Sequence, residues 1–380
     1  MEQSFGGGVN MEKRGVWSWW KNQLALAPLI SKYYVPEETN NFWYSLGGVL
    51  AISLALQVVS GIILTLKYIP DATLAFGIVS DMIHSRLWGI TLGFHYFNSF
   101  LIYGLVMAHM MRVFVSAAYR KEKKVLWFVG VALATLIFAT YVTGESLHWD
   151  EVGFAVPWHV SEILQATHLN NIFHYNFADL LAPASATLKL VQIYAMHIAI
   201  LPIMILLLAI LHFYLIRMKG ISLPFWKQPS GKKVSFASHI KLWFVYSAFA
   251  IGVVLFLAIF AGRDVGTAPQ LLPSSPLYAV HKGPGGQGYK PTSPIGWTHG
   301  MNVLVEHLGL TPDIWGTVIA MTLMLGSLVA IPFVDREEKE PTSFKEAFDW
   351  RKRKWAFLAM ALFWAVMIVG IIQNAIAGPG

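Results

Sequence analysis

From Phe42 to Leu66 the sequence runs twenty-five residues without an Asp, Glu, Lys or Arg. A bilayer offers the backbone no water, so a chain that crosses it must close its own hydrogen bonds. About 20 apolar residues coiled as an α-helix do this across the hydrocarbon. Such runs recur and predict seven spanning helices, over Phe42–Leu66, Leu87–Val115, Val125–Val142, Leu188–Ile216, Ile240–Ala261, Ile314–Val334 and Trp355–Ala377. The expected fold is all-α: a polytopic membrane protein with a four-helix bundle followed by three further transmembrane helices. No basic n-region leads into an apolar core and cleavage site, so no signal peptide is expected. Residues 16–27, VWSWWKNQLALA, predict a short interfacial helix with a tryptophan-rich face.

The net charge of +7 would suit nucleic acid if the basic residues were gathered on one surface. They alternate instead. Lys and Arg number 4 before the first span, 5 from Arg112 to Lys124, 6 from Arg217 to Lys241 and 7 from Arg336 to Lys354. The segments between hold 2, 0 and 3. That pattern sets a multi-pass chain with a cytoplasmic N-terminus and, after seven spans, a periplasmic C-terminus. It implies lipid and no nucleic acid as partner. With no cysteine, the chain cannot itself form disulfides, thiolate metal sites, iron–sulfur clusters or thioether-linked haem. The basic linker 217–241 and the proline-bearing segment 262–313, with PGGQG at 284–288, separate four helices from three. Two modules, 1–220 and 221–380, are expected to share one membrane body.

Of 13 histidines, four fall deep inside predicted spans: His95 and His109 in the second, His197 and His212 in the fourth. Ionisable groups at that depth are costly and usually functional. Fourteen residues of α-helix return to within about 40° of the starting direction, and fifteen to within about 60°, so each pair shares a face, its members ~21 Å apart along the axis. One metal ion cannot touch both. The second and fourth spans run the same way across the membrane, which pairs His95 with His197 near the outer side and His109 with His212 near the inner side. Each couple suits the two faces of a planar cofactor iron, and bis-histidine haem b fits. A lone intramembrane histidine more often hydrogen-bonds a neighbouring helix; two matched pairs on parallel helices argue for ligands. Gly47 and Gly61 repeat the fourteen-residue interval on the first span, and Gly130 and Gly144 repeat it around the third. They are expected to leave room for two macrocycles, with ordinary close helix packing as the other reading.

These residues resemble the cytochrome b family of quinol–cytochrome c and plastoquinol oxidoreductase complexes. The fifteen-residue interval in HIAILPIMILLLAILHFYLIRMKGIS is similar to the b6 branch, as is ISKYYVPEETNNFWYSLGG at 30–48. HMMRVF at 109–114 keeps an arginine three residues after a ligand, and the resemblance implies that Arg112 pairs with a haem propionate. TGESLHWDEVGF at 143–154, which includes Gly153, resembles the family's TGYSLPWDQVGY segment at the quinol-oxidation pocket. The likeness is strongest over residues 15–225. Beyond them it lies in layout, three helices as in the b6 branch's smaller partner subunit, here divergent and on the same chain.

The resemblance implies two non-covalent haem b groups, quinone or quinol as substrate, separate Rieske-type iron–sulfur and c-type cytochrome subunits, a homodimeric complex and a bacterial-type inner membrane. The departures are specific. Ser45 stands where the b6 branch attaches a third haem through cysteine, so a third haem there would lack that bond. Leu92 replaces the second propionate arginine. The Pro-Glu-Trp-Tyr motif is absent, and SPIGWTHGMNVLVEHLG at 293–309 occupies its place. Quinol oxidation needs a proton acceptor near neutral pH, and Glu145 or His148 is expected to replace the missing glutamate. Solvated loop side chains or docking contacts are the other reading of both. Arg217 and Lys219 follow His212 where the family reduces quinone; they would steer protons or anionic charge there, or serve only as positive-inside anchors.

Three functions remain open on the sequence. The first is a dihaem subunit carrying electrons between quinone sites. The second is a haem-b anchor passing electrons between a periplasmic redox partner and the quinone pool without a quinol-oxidation site. The third is a transporter using histidine as a proton relay, which the matched depths and glycines oppose.

Overall fold

A computed structural model of the chain describes residues 33–150, 186–261, 296–310 and 314–376, together with 153, 154, 163 and 167. Seven helices are long and apolar enough to cross a membrane, over Phe42–Thr65, Arg86–Val115, Lys121–Ser146, Lys189–Lys219, Phe236–Phe260, Trp315–Val334 and Trp350–Ile376. The fold is all-α and polytopic, as the uncharged runs predict. The interfacial helix expected at 16–27, and His159, His168, His174 and His281, lie outside the described residues.

The chain begins with strand β1 (Tyr34–Pro36) and the first spanning helix, α1 (Phe42–Thr65). Asn41 caps α1 by accepting from the Tyr44 amide at 3.3 Å. A surface helix the periodicity did not signal, α2 (Ala75–His84), packs on α3 (Arg86–Val115). Leu92 joins Val79 and Met82 in the apolar cluster beneath it. Helix α4 (Lys124–Ser146) runs past the expected end at Val142, so Glu145 stands on its last turn and not in a loop. Helix α5 spans Ala186–Ala195, one π turn at Met196–Ile200, and Leu201–Lys219. Pro202 follows the π turn. It has no amide proton to give the carbonyl four residues earlier, and the widened turn accommodates that loss.

Strand β2 (Lys233–Ser235) pairs antiparallel with β1, Val35 opposite Val234. It leads into α6 (Phe236–Phe260), which lies along α1 and α3. Helix α6 starts earlier than predicted and places His239 inside the helix, almost wholly buried. Helices α7 (Gly296–His307), α8 (Trp315–Val334), the short α9 (Phe344–Ala347) and α10 (Trp350–Ile376) complete the chain. Helix α7 crosses α10 at glycine: a Cβ on Gly300 would overlap the Gly370 carbonyl oxygen, at 1.8 Å.

The principal apolar core joins the last helices to the bundle. Met110 and Phe114 of α3, Trp127 of α4, Met301, Met324, Leu328 and Phe363 all belong to it. On the inner side a buried polar cluster seals the same junction. Asp335 accepts from Arg120 at 2.7 Å, Arg353 at 3.3 Å and the Tyr119 hydroxyl at 2.6 Å. Arg353 also donates to the carbonyls of Phe114, Val115 and Ala347. Both cations thereby have partners, which burial of charge demands.

Candidate functional site

Helices α1 and α3 pack along their length, and so do α4 and α5, while the two pairs touch each other sparsely. The seam between them closes only at mid-height. There Ile102 and Val106 of α3, Ile137 and Ala134 of α4, Leu50 and Leu54 of α1 and Ile205 of α5 form one cluster. Those positions fall midway between the histidines and midway between the glycines. The bundle thus holds two histidine layers with an apolar waist between them, named outer and inner here after the sides expected from the charge pattern.

In the outer layer the rings of His95 and His197 lie edge to face, with centroids 6.3 Å apart and planes inclined at 69°. Two imidazoles bound on opposite sides of one ion, each by a metal–nitrogen bond of ~2 Å, would place their centroids ~6 Å apart. The outer pair is already at that separation. Ser60 Oγ donates to the Gln57 carbonyl at 3.0 Å and lies 2.9 Å from His95 Nδ1. A hydroxyl has one proton. With Ser60's directed at Gln57, its oxygen is free to accept from Nδ1 in the tautomer that leaves Nε2 with the lone pair a metal needs. Thr143 repeats the arrangement. Its hydroxyl is 2.9 Å from the Thr140 carbonyl and 3.2 Å from His197 Nδ1, and that nitrogen also has the Thr140 carbonyl at 3.0 Å.

Gln57 is itself anchored. Its amide donates to the His95 carbonyl at 2.8 Å, and fully buried Asn98 donates to Gln57 Oε1 at 2.7 Å.

Each glycine of the repeat lies against one imidazole. A Cβ on Gly61 would stand 3.2 Å from His95 Cε1, on Gly144 2.8 Å from His197, on Gly47 3.1 Å from His109 and on Gly130 3.6 Å from His212. Room for a macrocycle was the expectation; in the structure each glycine also leaves room for an imidazole ring. In the inner layer His109 and His212 lie within electrostatic reach of each other and of Arg112. The Arg112 guanidinium stands 4.4 Å over the Tyr44 ring. Among the described residues, buried His109 Nδ1, His212 Nδ1 and Arg112 Nε have no hydrogen-bond partner.

The donor set fits haem. Among the described residues no three of His, Asp or Glu converge on one point, so a bare ion would find two ligands only, whereas a porphyrin brings four of its own. The surroundings of Ser45 offer no comparable cradle. Ser45 is fully buried and donates to the Asn41 carbonyl at 2.8 Å. Three residues on, Trp243 of α6 fills the space where a Gly48 Cβ would be, 2.0 Å from Cδ2. Trp243 and the neighbouring His239 pack edge to face. His239 is the buried inner-side group that the sequence reading missed; only an α6 start before Ile240 would have signalled it.

On the outer side the turn after α4 is built by its own residues. Trp149 adopts φ +53 and is buried against Ala75 and Leu190. Asp150 accepts from the Gly153 amide at 2.8 Å. A Cβ on Gly153 would stand 2.9 Å from the Glu145 carbonyl oxygen, so glycine is needed for the turn to close. Tyr68 donates to the Leu147 carbonyl at 2.8 Å, and burial holds its phenol above the usual range. Glu145 is buried. His148 is half-buried and within electrostatic reach of His95 and His197. Helix α7 carries His299, whose Nδ1 is 2.9 Å from Asn374 Oδ1, while Glu306 and His307 are exposed. On the inner side Arg217 stands 4.9 Å over the Tyr33 ring. Lys219 pairs with Glu122 at 2.5 Å.

Comparison with known proteins agrees with this architecture. The family model for cytochrome b/b6/petB matches residues 30–220. Cytochrome b6 of Mastigocladus laminosus is 30% identical over 215 residues, 55% of this chain and 98% of that protein. Cytochrome b6 of Gracilaria tenuistipitata var. liui is 29% identical over the same shares. A solved structure described as a hyperthermophilic respiratory Complex III superposes with a TM-score of 0.64 at 20% identity, over 94% of this chain and 98% of the other.

Proposed function

The chain belongs to the cytochrome b/b6 family, and from that premise we propose that it is the dihaem subunit of a bc-type quinol oxidoreductase complex, carrying electrons across the membrane between quinone sites. His95 and His197 hold the outer haem b iron, and His109 and His212 the inner one. Bound there, the two groups supply reversible one-electron chemistry at fixed depths. The protein does the rest. Gly47, Gly61, Gly130 and Gly144 admit the ligand rings, Ser60 and Thr143 fix the outer rings with Nε2 facing inward, and Arg112 offers the inner layer a buried cation for a propionate. Trp243 takes the space beside Gly48, and this reading carries two haems. A b6-like module of residues 1–220, joined to the divergent module 221–380, accounts for the extent of the family match.

At the outer quinol site, Glu145 or His148 accepts the proton, and Gly153 shapes the turn that presents them. Glu145 is buried on the last turn of α4, and His148 neighbours the outer ligands. At the inner side Arg217 and Lys219 border the quinone-reduction site, although Lys219 must leave Glu122 to act there. The absence of cysteine puts the Rieske-type iron–sulfur protein and the c-type cytochrome on separate subunits of a homodimeric complex. The membrane is of the bacterial inner type, with the N-terminus cytoplasmic and the C-terminus periplasmic.

The observation that carries this reading is the 6.3 Å opposition of His95 and His197, each backed by a glycine. Haem content of the purified protein tests it. Two non-covalent haems per chain are expected, and alanine at any of the four histidines should leave one six-coordinate. Fewer than two haems in the unsubstituted protein removes the reading. The missing glutamate motif favours the second possibility, an anchor without quinol oxidation. Quinol turnover in Glu145→Gln and His148→Asn variants separates the two: unchanged rates in both would discard these residues as acceptors.

A further inference from the structure

A cavity of about 380 Å³, large enough for a small ligand, lies apart from the histidine layers, between the 3-10 turn Glu37–Thr39 and the loop that enters β2. The backbone sets its walls. The Glu37 amide donates to the Lys232 carbonyl at 3.1 Å, and Asn41 Nδ2 donates to the Glu38 carbonyl at 2.8 Å. The Glu38 carboxylate is already engaged, because it accepts from the Ser230 amide. Other groups are left for a ligand. Asn40 Oδ1 is buried and has no hydrogen-bond partner among the described residues. The exposed Glu37 carboxylate adds negative charge to the same wall. Lys227, also exposed, lines the cavity from the loop, within electrostatic reach of Glu38.

A buried acceptor without a donor costs free energy until something fills it. An amide oxygen, a carboxylate and an ammonium around one hollow are complementary to a ligand with an N–H-bearing cation and an anion a few bonds away. A bilayer supplies such a ligand. We propose that this cavity binds the headgroup of phosphatidylethanolamine, its ammonium on Asn40 Oδ1 and Glu37 and its phosphodiester on Lys227. A primary ammonium has three N–H donors. The trimethylammonium of a choline headgroup has none, and a glycerol headgroup has no cation. Phe42 and Trp43, two and three residues past Asn40, are 44% and 52% exposed. Aromatic side chains of that kind sit at headgroup level, and these offer apolar surface to the acyl chains. The lipid would tie the turn ahead of α1 to the loop ahead of α6, a role beyond electron transfer.

Equilibrium binding of a fluorescent phosphatidylethanolamine to the purified, haem-loaded protein in detergent tests this, with unlabelled phosphatidylethanolamine, phosphatidylcholine, phosphatidylglycerol and soluble phosphoethanolamine as competitors. Unlabelled phosphatidylethanolamine should compete at least about tenfold better than the other three. Glu37→Gln and Lys227→Ala change exposed side chains, which seldom disturb folding. Each should weaken binding about three- to tenfold, as expected for loss of one charge-assisted contact, while the haem spectrum stays unchanged. Lys227→Arg should retain binding. Equal competition by the choline lipid overturns the proposal, since N–H donors would not matter. Preference for phosphatidylglycerol would reduce the site to a basic anchor, and equal competition by phosphoethanolamine would make it a site for a free metabolite; either result overturns the proposal. So does unchanged binding in both Glu37→Gln and Lys227→Ala.

Discussion

Gly144 lies so close beneath His197 that a methyl group in place of its hydrogen would stand 2.8 Å from Cε1. Helices α4 and α5 approach closely there, and glycine leaves the room the ring occupies. The same relation recurs at Gly47, Gly61 and Gly130 with growing slack, up to 3.6 Å at Gly130.

Alanine at these positions should therefore hurt in order of distance. Gly144→Ala should displace His197 and lose more than half of the outer haem band in a reduced-minus-oxidised spectrum. Gly130→Ala meets ordinary van der Waals contact and should retain both haems. Equal losses in the two variants would mean that ring contact does not set haem occupancy.

Asp335 is shared by two buried arginines and a tyrosine. Asp335→Asn leaves both cations without a counter-charge, and breaking such a buried pair costs about 3–5 kcal/mol. Thermal unfolding in detergent should show a clearly lower Tm. Because the cluster joins α3, α8 and α10 far from the outer layer, the outer haem spectrum should stay unchanged in the folded variant.

The π turn at Met196–Ile200 gives the fifteen-residue interval a physical reason. One residue is absorbed in the widened turn, so His197 and His212 are related nearly as His95 and His109 are. Deleting Ala199 together with Pro202→Ala should convert the turn to regular α-helix and keep both haems. Deleting Leu207 instead should rotate His212 about 100° off the bundle face and lose the inner haem. Haem stoichiometry distinguishes the two deletions.

Much of this was legible in sequence because spanning helices announce themselves by length and lack of charge, and ligands by period. The seven helices needed nothing else, and the nearness of His95 to His197 followed from the period. The π turn did not show, since a one-residue change of interval is ambiguous without knowing where it is absorbed. The glycine interval was visible, but whether it made way for a macrocycle or for an imidazole depends on packing across helices. Glu145 and His239 were misplaced for one reason: polar residues at a helix end look like loop, although lipid-spanning helices run on into the interface. The Asp335 cluster joins residues more than 200 positions apart, and no local pattern encodes it.

Glu38 accepts from the hydroxyl and then the amide of Ser230, and these bonds hold its carboxyl below the ordinary range. A lowered folded-state value means the carboxylate stabilises the folded form above the ordinary glutamate pKa of ~4.3, and that this contribution is lost as pH falls through the lower folded value. Protection of the β1–β2 amides from hydrogen exchange, relative to the intrinsic rate at each pH, should fall as the medium is acidified below that range. Glu38→Gln should remove this acid dependence while leaving the behaviour at neutral pH nearly flat.

The cluster of Ile102, Val106, Ile137, Leu50, Leu54 and Ile205 sits where all four helices of the bundle meet. Hydrocarbon side chains there give a hydronium ion no oxygen to hop between. With a haem held in each histidine layer, as proposed, negative charge passing from one to the other would travel unescorted, and each such passage would work like current onto the plates of a capacitor, leaving a voltage across the membrane.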